Sequence, residues 1–142
     1  MKEITIKDLD TVASGILKKA QKAKIKKATV LAFEGDLGTG KTTITQTICK
    51  ILGVKEKIIS PTFVIMKKYI IDNGKFKNLI HIDAYRLEES KELLSLGWEE
   101  IISEKENLII IEWPEKTKEI IPTDAIKINL THINEYTRGI SF

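Results

Sequence analysis

The chain has 142 residues, 42% of them hydrophobic and 30% charged, with only 8 glycines and 3 prolines. That is enough for one buried core and too little for two ordinary domains, and it excludes disorder, collagen-like repeats and disulfide scaffolds. No apolar run approaches the ~20 residues of a membrane span, no signal-peptide stretch opens the chain, and one cysteine, Cys49, fits a reducing compartment, so a cytoplasmic protein with no membrane partner is expected.

Ile4 and Ile6 alternate with polar residues as in a short strand, and Asp8 is placed to cap a following helix. Leu9, Val12, Ala13, Ile16, Leu17 and Ala20 give that helix one apolar stripe at a period of 3.6. Its end carries Lys18, Lys19, Lys22, Lys24, Lys26 and Lys27, read as a solvated helix end or, alternatively, as a docking face for RNA or an acidic partner. A net charge of +3, with only Arg86 and Arg138 as arginines, is too mild for a dedicated nucleic-acid binder. Ala28 to Phe33 reads as a buried strand. From Lys41 the pattern is helical, with Ile44, Ile48, Ile51 and Leu52 on one side and Gly53 as the stop. Asp72-Asn73-Gly74 separates the apolar segments Phe63–Ile71 and Phe76–Ile82, which predicts an antiparallel hairpin. A helix around Ser90–Leu96, strands at Leu108–Ile111 and Ile126–Leu130, and a last strand within Tyr136–Phe142 complete the order.

Gly35-Asp36-Leu37-Gly38-Thr39-Gly40-Lys41-Thr42 satisfies G-x-x-x-x-G-K-[ST] in full, between a predicted strand and a predicted helix. Glycines let such a loop turn its N–H groups onto phosphate oxygens, and the positive end of the following helix favours the same anions. Lys41 suits the β- and γ-phosphates, the Thr42 hydroxyl suits Mg²⁺, and Thr43 offers a further hydroxyl near the α-phosphate. The motif predicts a nucleoside triphosphate site. The fold class that follows is α/β: a P-loop NTPase-like three-layer domain spanning residues 1–142, with a mixed parallel and antiparallel central sheet.

Such a loop needs a carboxylate at a neighbouring strand end, for the metal's water shell or for the attacking water. Leu79-Ile80-His81-Ile82 delivers Asp83, and Leu108-Ile109-Ile110-Ile111 delivers Glu112. Either could be only a turn residue, and their order leaves open which one faces the metal. His81 is read as a core or sheet-face histidine, and the scattered histidines and cysteine offer no zinc site.

The loop, Ser60-Pro61-Thr62, His81-Ile82-Asp83-Ala84-Tyr85-Arg86-Leu87 and Ile111-Glu112-Trp113-Pro114-Glu115 occur in an order that closely resembles the bacterial TsaE (YjeE) family. The resemblance covers nearly the whole chain. It implies a small ATPase required for N6-threonylcarbamoyladenosine in tRNAs that read codons beginning with A, acting with TsaD and the non-catalytic TsaB. It implies ATP on Leu37, Gly38, Thr39, Gly40, Lys41, Thr42 and Thr43, Mg²⁺ at Thr42 and Glu112, and Asp83 as the second acid. It further implies a switch-like role for Ser60, Pro61 and Thr62, a nucleotide or partner contact at Trp113, and nucleotide contacts from Thr11 and Arg138. Ala84 and Thr39 depart from the family's commoner leucine and alanine, and neither removes a phosphate contact.

Three other functions share the loop. A small-molecule kinase would need several arginines to clamp the transferred phosphoryl, and only two are available. A GTP switch would carry Asn-Lys-x-Asp, which the sequence lacks. An ATP-binding assembly subunit without turnover has the same sequence requirements as the ATPase.

Overall fold

In the computed structural model, which describes residues 1–56, 58, 61 and 64–142, the strands form one seven-stranded sheet. The strands are β1 (Lys2–Ile4), β2 (Thr29–Glu34), β3 (Met66–Asn73), β4 (Phe76–Asp83), β5 (Asn107–Glu112), β6 (Ile126–His132) and β7 (Arg138–Ser141). Their spatial order is β1-β7-β6-β2-β5-β4-β3. β4, β5, β2 and β6 run parallel, whereas β3 and β7 are antiparallel to their inner neighbours. The mixed sheet expected from the sequence is therefore present.

Strand alternation divides the core in two. Leu31, Phe33, Leu79, Leu108, Ile110 and Ile128 pack on the face that carries α1 (Leu9–Lys22) and α2 (Lys41–Ile51). Val30, Ala32, Ile80, Ile82, Ile109 and Ile111 pack on the opposite face. There α3 (Ser90–Leu94) and α4 (Trp98–Ser103) insert Leu93 and Trp98. Every residue of β5 is buried, as a continuous apolar run in a parallel strand covered on both faces requires. The result is three layers.

Local chemistry explains where the elements begin and end. α1 buries Val12, Ala13, Ile16, Leu17 and Ala20, the expected stripe. Its entry differs from the expectation: Ile6 is 79% exposed and opens a 3₁₀ turn, Ile6–Asp8, instead of extending β1. Asp8 stands at the helix start without a side-chain cap bond. Its carboxylate instead accepts from the Thr5 N–H at 2.7 Å, which caps the 3₁₀ turn. In α2 the inner positions are Ile44, Thr45, Ile48 and Cys49, while Ile51 faces solvent. Gly53 ends that helix at φ 83°, and the Val54 N–H reaches back to the Cys49 carbonyl at 3.0 Å. The β3–β4 hairpin turns at Asn73-Gly74 with a register shift between Ile70 and Asn73, and the predicted start at Phe63 lies outside the described residues. α4 was not apparent in the sequence. It follows Gly97, whose φ of 88° breaks the helical pattern after Leu96.

Candidate functional site

β2, β4 and β5 all point their C-terminal ends the same way, and their register puts Phe33, Asp83 and Glu112 at one level of the sheet. Ligands in open α/β sheets bind beyond such carboxyl ends. The loop between β2 and α2 closes over this edge. Gly40, the residue before α2, has φ 101°, a left-handed conformation that side chains disfavour. A Cβ there would meet nothing within 4 Å, so the glycine answers to backbone shape and the concavity beside it remains open.

Leu37, Gly38, Thr39, Gly40, Lys41, Thr42 and Thr43 line one cavity of about 360 Å³, together with Asp83, Glu112, Trp113 and Arg138. The Lys41 ammonium donates to the Gly35 carbonyl and, at 3.2 Å, to that of Asp36. It also sits 4.0 Å above the centre of the Trp113 ring. Burial holds its pKa below the usual lysine range, and the carboxylates of Glu112, Glu115, Asp83 and Asp36 oppose that shift only in part. Trp113 adopts φ 60° immediately after β5, which turns its indole back over the loop, and its ring lies 5.0 Å from that of Tyr85. A non-glycine residue held in this region marks a site where the surroundings over-determine the backbone.

The two acids differ in their surroundings. Glu112 Oε1 accepts from the Thr42 hydroxyl at 3.2 Å, and Oε2 lies 2.7 Å from His81 Nε2. Asp83 is buried, and its Oδ1 accepts the Tyr85 N–H at 3.0 Å. Thr42 and Glu112 thus present two oxygen groups side by side. Mg²⁺ favours so sparse a set of hard donors, because it keeps most of its shell as water and phosphate oxygen. No group of three or more His, Cys, Asp and Glu side chains among the described residues could hold another metal. His81 is in the core, as expected, but it also reaches Glu112. That contact was missed because it depends on sheet register, not on sequence spacing.

A second, larger cavity of about 540 Å³ adjoins the loop and shares Thr39, Gly40, Thr43 and Arg138 with the first. Ile4, Ile6 and Leu9 form one wall, and Tyr136 stands at its margin, 77% exposed. The sequence carries no local signal for these residues, because Ile4, Ile6, Leu9 and Tyr136 lie far from the loop along the chain. Arg138 is thus brought to the site. Thr11 is not: it lines a separate cavity with Met1, Lys2 and Phe142, and residues 4–7 and Leu9 occupy the position beside the loop. Pro61 is buried and its carbonyl accepts the Ile65 N–H, while the Ile65 carbonyl accepts the Asp83 N–H at 2.8 Å. Ser60 and Thr62 lie outside the described residues. Among the described residues, no helix is long and apolar enough to cross a membrane.

A family profile described as "Threonylcarbamoyl adenosine biosynthesis protein TsaE" matches residues 7–140. The tRNA threonylcarbamoyladenosine biosynthesis protein TsaE of Rickettsia bellii is 37% identical over 121 residues, covering 84% of this chain and 81% of that protein. The protein of the same name from Bacillus subtilis is 32% identical over 142 residues, covering 100% of this chain and 86% of its own. A crystal structure of Bacillus subtilis YdiB aligns with a TM-score of 0.67 at 27% identity, over 98% of this chain and 83% of that one. Sequence and fold agree along almost the full length: the chain belongs to the TsaE family.

Proposed function

We propose that residues 1–142 form one P-loop ATPase domain that serves N6-threonylcarbamoyladenosine modification of tRNAs reading codons that begin with A, in the cytoplasm and together with TsaD and TsaB. The observation that carries this reading is the cavity in which Lys41, Thr42, Asp83 and Glu112 converge beneath the N-terminus of α2. In it the triphosphate lies along Leu37–Thr43, held by loop N–H groups and the helix dipole. Lys41, drawn off the Gly35 and Asp36 carbonyls, takes the β- and γ-phosphates. The base and ribose occupy the larger cavity, between the Ile4–Leu9 entry and the segment bearing Tyr136 and Arg138.

Thr42 and Glu112 would hold Mg²⁺ through its water shell, and the ion would supply neutralisation of phosphate charge. Asp83, level with Glu112 on the neighbouring strand, positions or deprotonates the attacking water. The short link from Pro61 through Ile65 to the Asp83 N–H supports a switch-like role for Ser60-Pro61-Thr62, because movement of that segment would be felt at the acid. Trp113 covers Lys41 from the same side, where an incoming subunit could order it. The low arginine content fits charge stabilisation supplied by a partner.

ATP hydrolysis measured for the chain alone and with TsaD–TsaB tests this. Slow turnover alone and stimulated turnover in the complex are expected. A phosphorylated small molecule as product would overturn the reading in favour of a kinase.

A further inference from the structure

His81 is fully buried on β4, two residues before the strand's end at Asp83, where an aliphatic side chain would pack without cost. An imidazole there has to be compensated by hydrogen bonds. Only one is made: Nε2 faces Glu112 Oε2 at 2.7 Å, while Nδ1 has no hydrogen-bond partner among the described residues. Among the described residues, the one hydrogen-bond contact of this histidine is therefore with a carboxylate of the candidate site. Alternation along the strands makes that contact possible, since Leu79 on β4 and Leu108 and Ile110 on β5 face α1 and α2. His81 and Glu112, each an even number of residues further on, project to the same side.

We propose that His81 is a positioning residue. By donating Nε2–H to Oε2, it selects the Glu112 rotamer in which Oε1 is turned to the Thr42 hydroxyl, 3.2 Å away. A glutamate has three side-chain torsions, and Glu112 at the end of β5 is fixed on one oxygen by the sheet interior and presents the other to the loop. This rests on the reading of Thr42 and Glu112 as the metal side of a nucleotide site.

The test is ATP affinity by calorimetry, with Mg²⁺ and with EDTA, for the wild type, His81→Leu and His81→Gln, each alone and combined with Glu112→Gln, with thermal melting beside it. Loss of a partner behind a metal-side carboxylate typically costs about 10–100-fold. His81→Leu is expected to lose that much of its Mg²⁺-dependent affinity, with affinity in EDTA unchanged. His81→Gln, whose amide N–H reaches the Nε2 position, keeps most of the Mg²⁺ effect. In the Glu112→Gln background His81→Leu costs nothing further. A His81→Leu protein with wild-type Mg²⁺ dependence overturns the positioning role and leaves the site reading intact. Equal losses in Mg²⁺ and EDTA, or a loss that adds to that of Glu112→Gln, also overturn it, by showing a general packing role. A wild type that binds ATP without any help from Mg²⁺ overturns both.

Discussion

Gly35→Ala tests how the loop is fastened to the sheet. Gly35 has φ 152°, outside the range that side chains adopt. An added Cβ would lie 2.6 Å from the Leu130 carbonyl oxygen, 2.7 Å from Thr39 Oγ1 and 3.3 Å from Leu130 Cβ. The Thr39 hydroxyl can rotate away, at the expense of its 2.8 Å bond to the Asp36 carbonyl. The Leu130 carbonyl has less freedom, because it is backbone in a strand where Leu130 pairs with Ile140 of β7 and the preceding Asn129 pairs with Glu34 of β2. Backbone strain of about 1–3 kcal/mol and overpacking of about 1–3 kcal/mol sum to about 2–6 kcal/mol, a large part of a typical stability of about 5–15 kcal/mol. Gly53→Ala is the control: its φ of 83° is also positive, but nothing lies within 4 Å of the new Cβ, so only strain of about 1–2 kcal/mol applies. Urea unfolding reads both variants. ATP affinity should fall for Gly35→Ala alone, because relief of the clash moves the loop off β6. Stability within about 0.5 kcal/mol of wild type, with full ATP affinity, would refute the proposed packing of loop on strand.

The two acids should separate kinetically: Glu112→Gln is expected to lower Mg²⁺ dependence and turnover together, and Asp83→Asn to leave binding intact while kcat drops about 10²–10⁴-fold. Wild-type turnover in both would exclude these strand ends from the site. Lys41, held below the usual lysine range by burial, binds phosphate only when protonated. ATP affinity should therefore be flat at neutral pH, fall by up to tenfold per unit as pH rises through the unliganded pKa, and do so earlier than for an exposed lysine. Calorimetry from about pH 7 to 10, with Lys41→Arg as the expected flat reference, checks the sign. Lys75 ties the hairpin to the end of α1 by donating to the Ala20 and Ala23 carbonyls at 3.1 and 2.6 Å. Lys75→Met keeps the aliphatic stem and loses the ammonium, for an expected cost of about 1–3 kcal/mol, or a Tm lower by about 3–10 °C. An unchanged Tm would mean that water replaces both bonds.

Much of this was legible because the chemistry is local. The glycine and lysine pattern of residues 35–42 defines a loop whatever surrounds it, and Asn73-Gly74 defines a turn. The alternating and continuous apolar runs located every central strand, since each is read against its own neighbours alone. What failed depended on contacts between distant segments. Ile6 fits a strand pattern but lies beside the loop, where the chain has already left the sheet. Ile51 fits the helical stripe, yet Thr45 and Cys49 are buried while Ile51 is exposed, because the tertiary packing around α2 is not written in its own spacing. Asp8 has the residue type of a helix cap but is engaged by Thr5. The His81–Glu112 pair and the indole of Trp113 over Lys41 appear only when strand register and a left-handed residue are known.

Threonylcarbamoyl transfer to tRNA, followed over several turnovers in a mixture of TsaD and TsaB, decides the central point. Sustained modification is expected with this chain and ATP, and is expected to stop when the chain is omitted or replaced by folded Lys41→Ala. Full multi-turnover modification in either of those two mixtures would contradict the role proposed for the site.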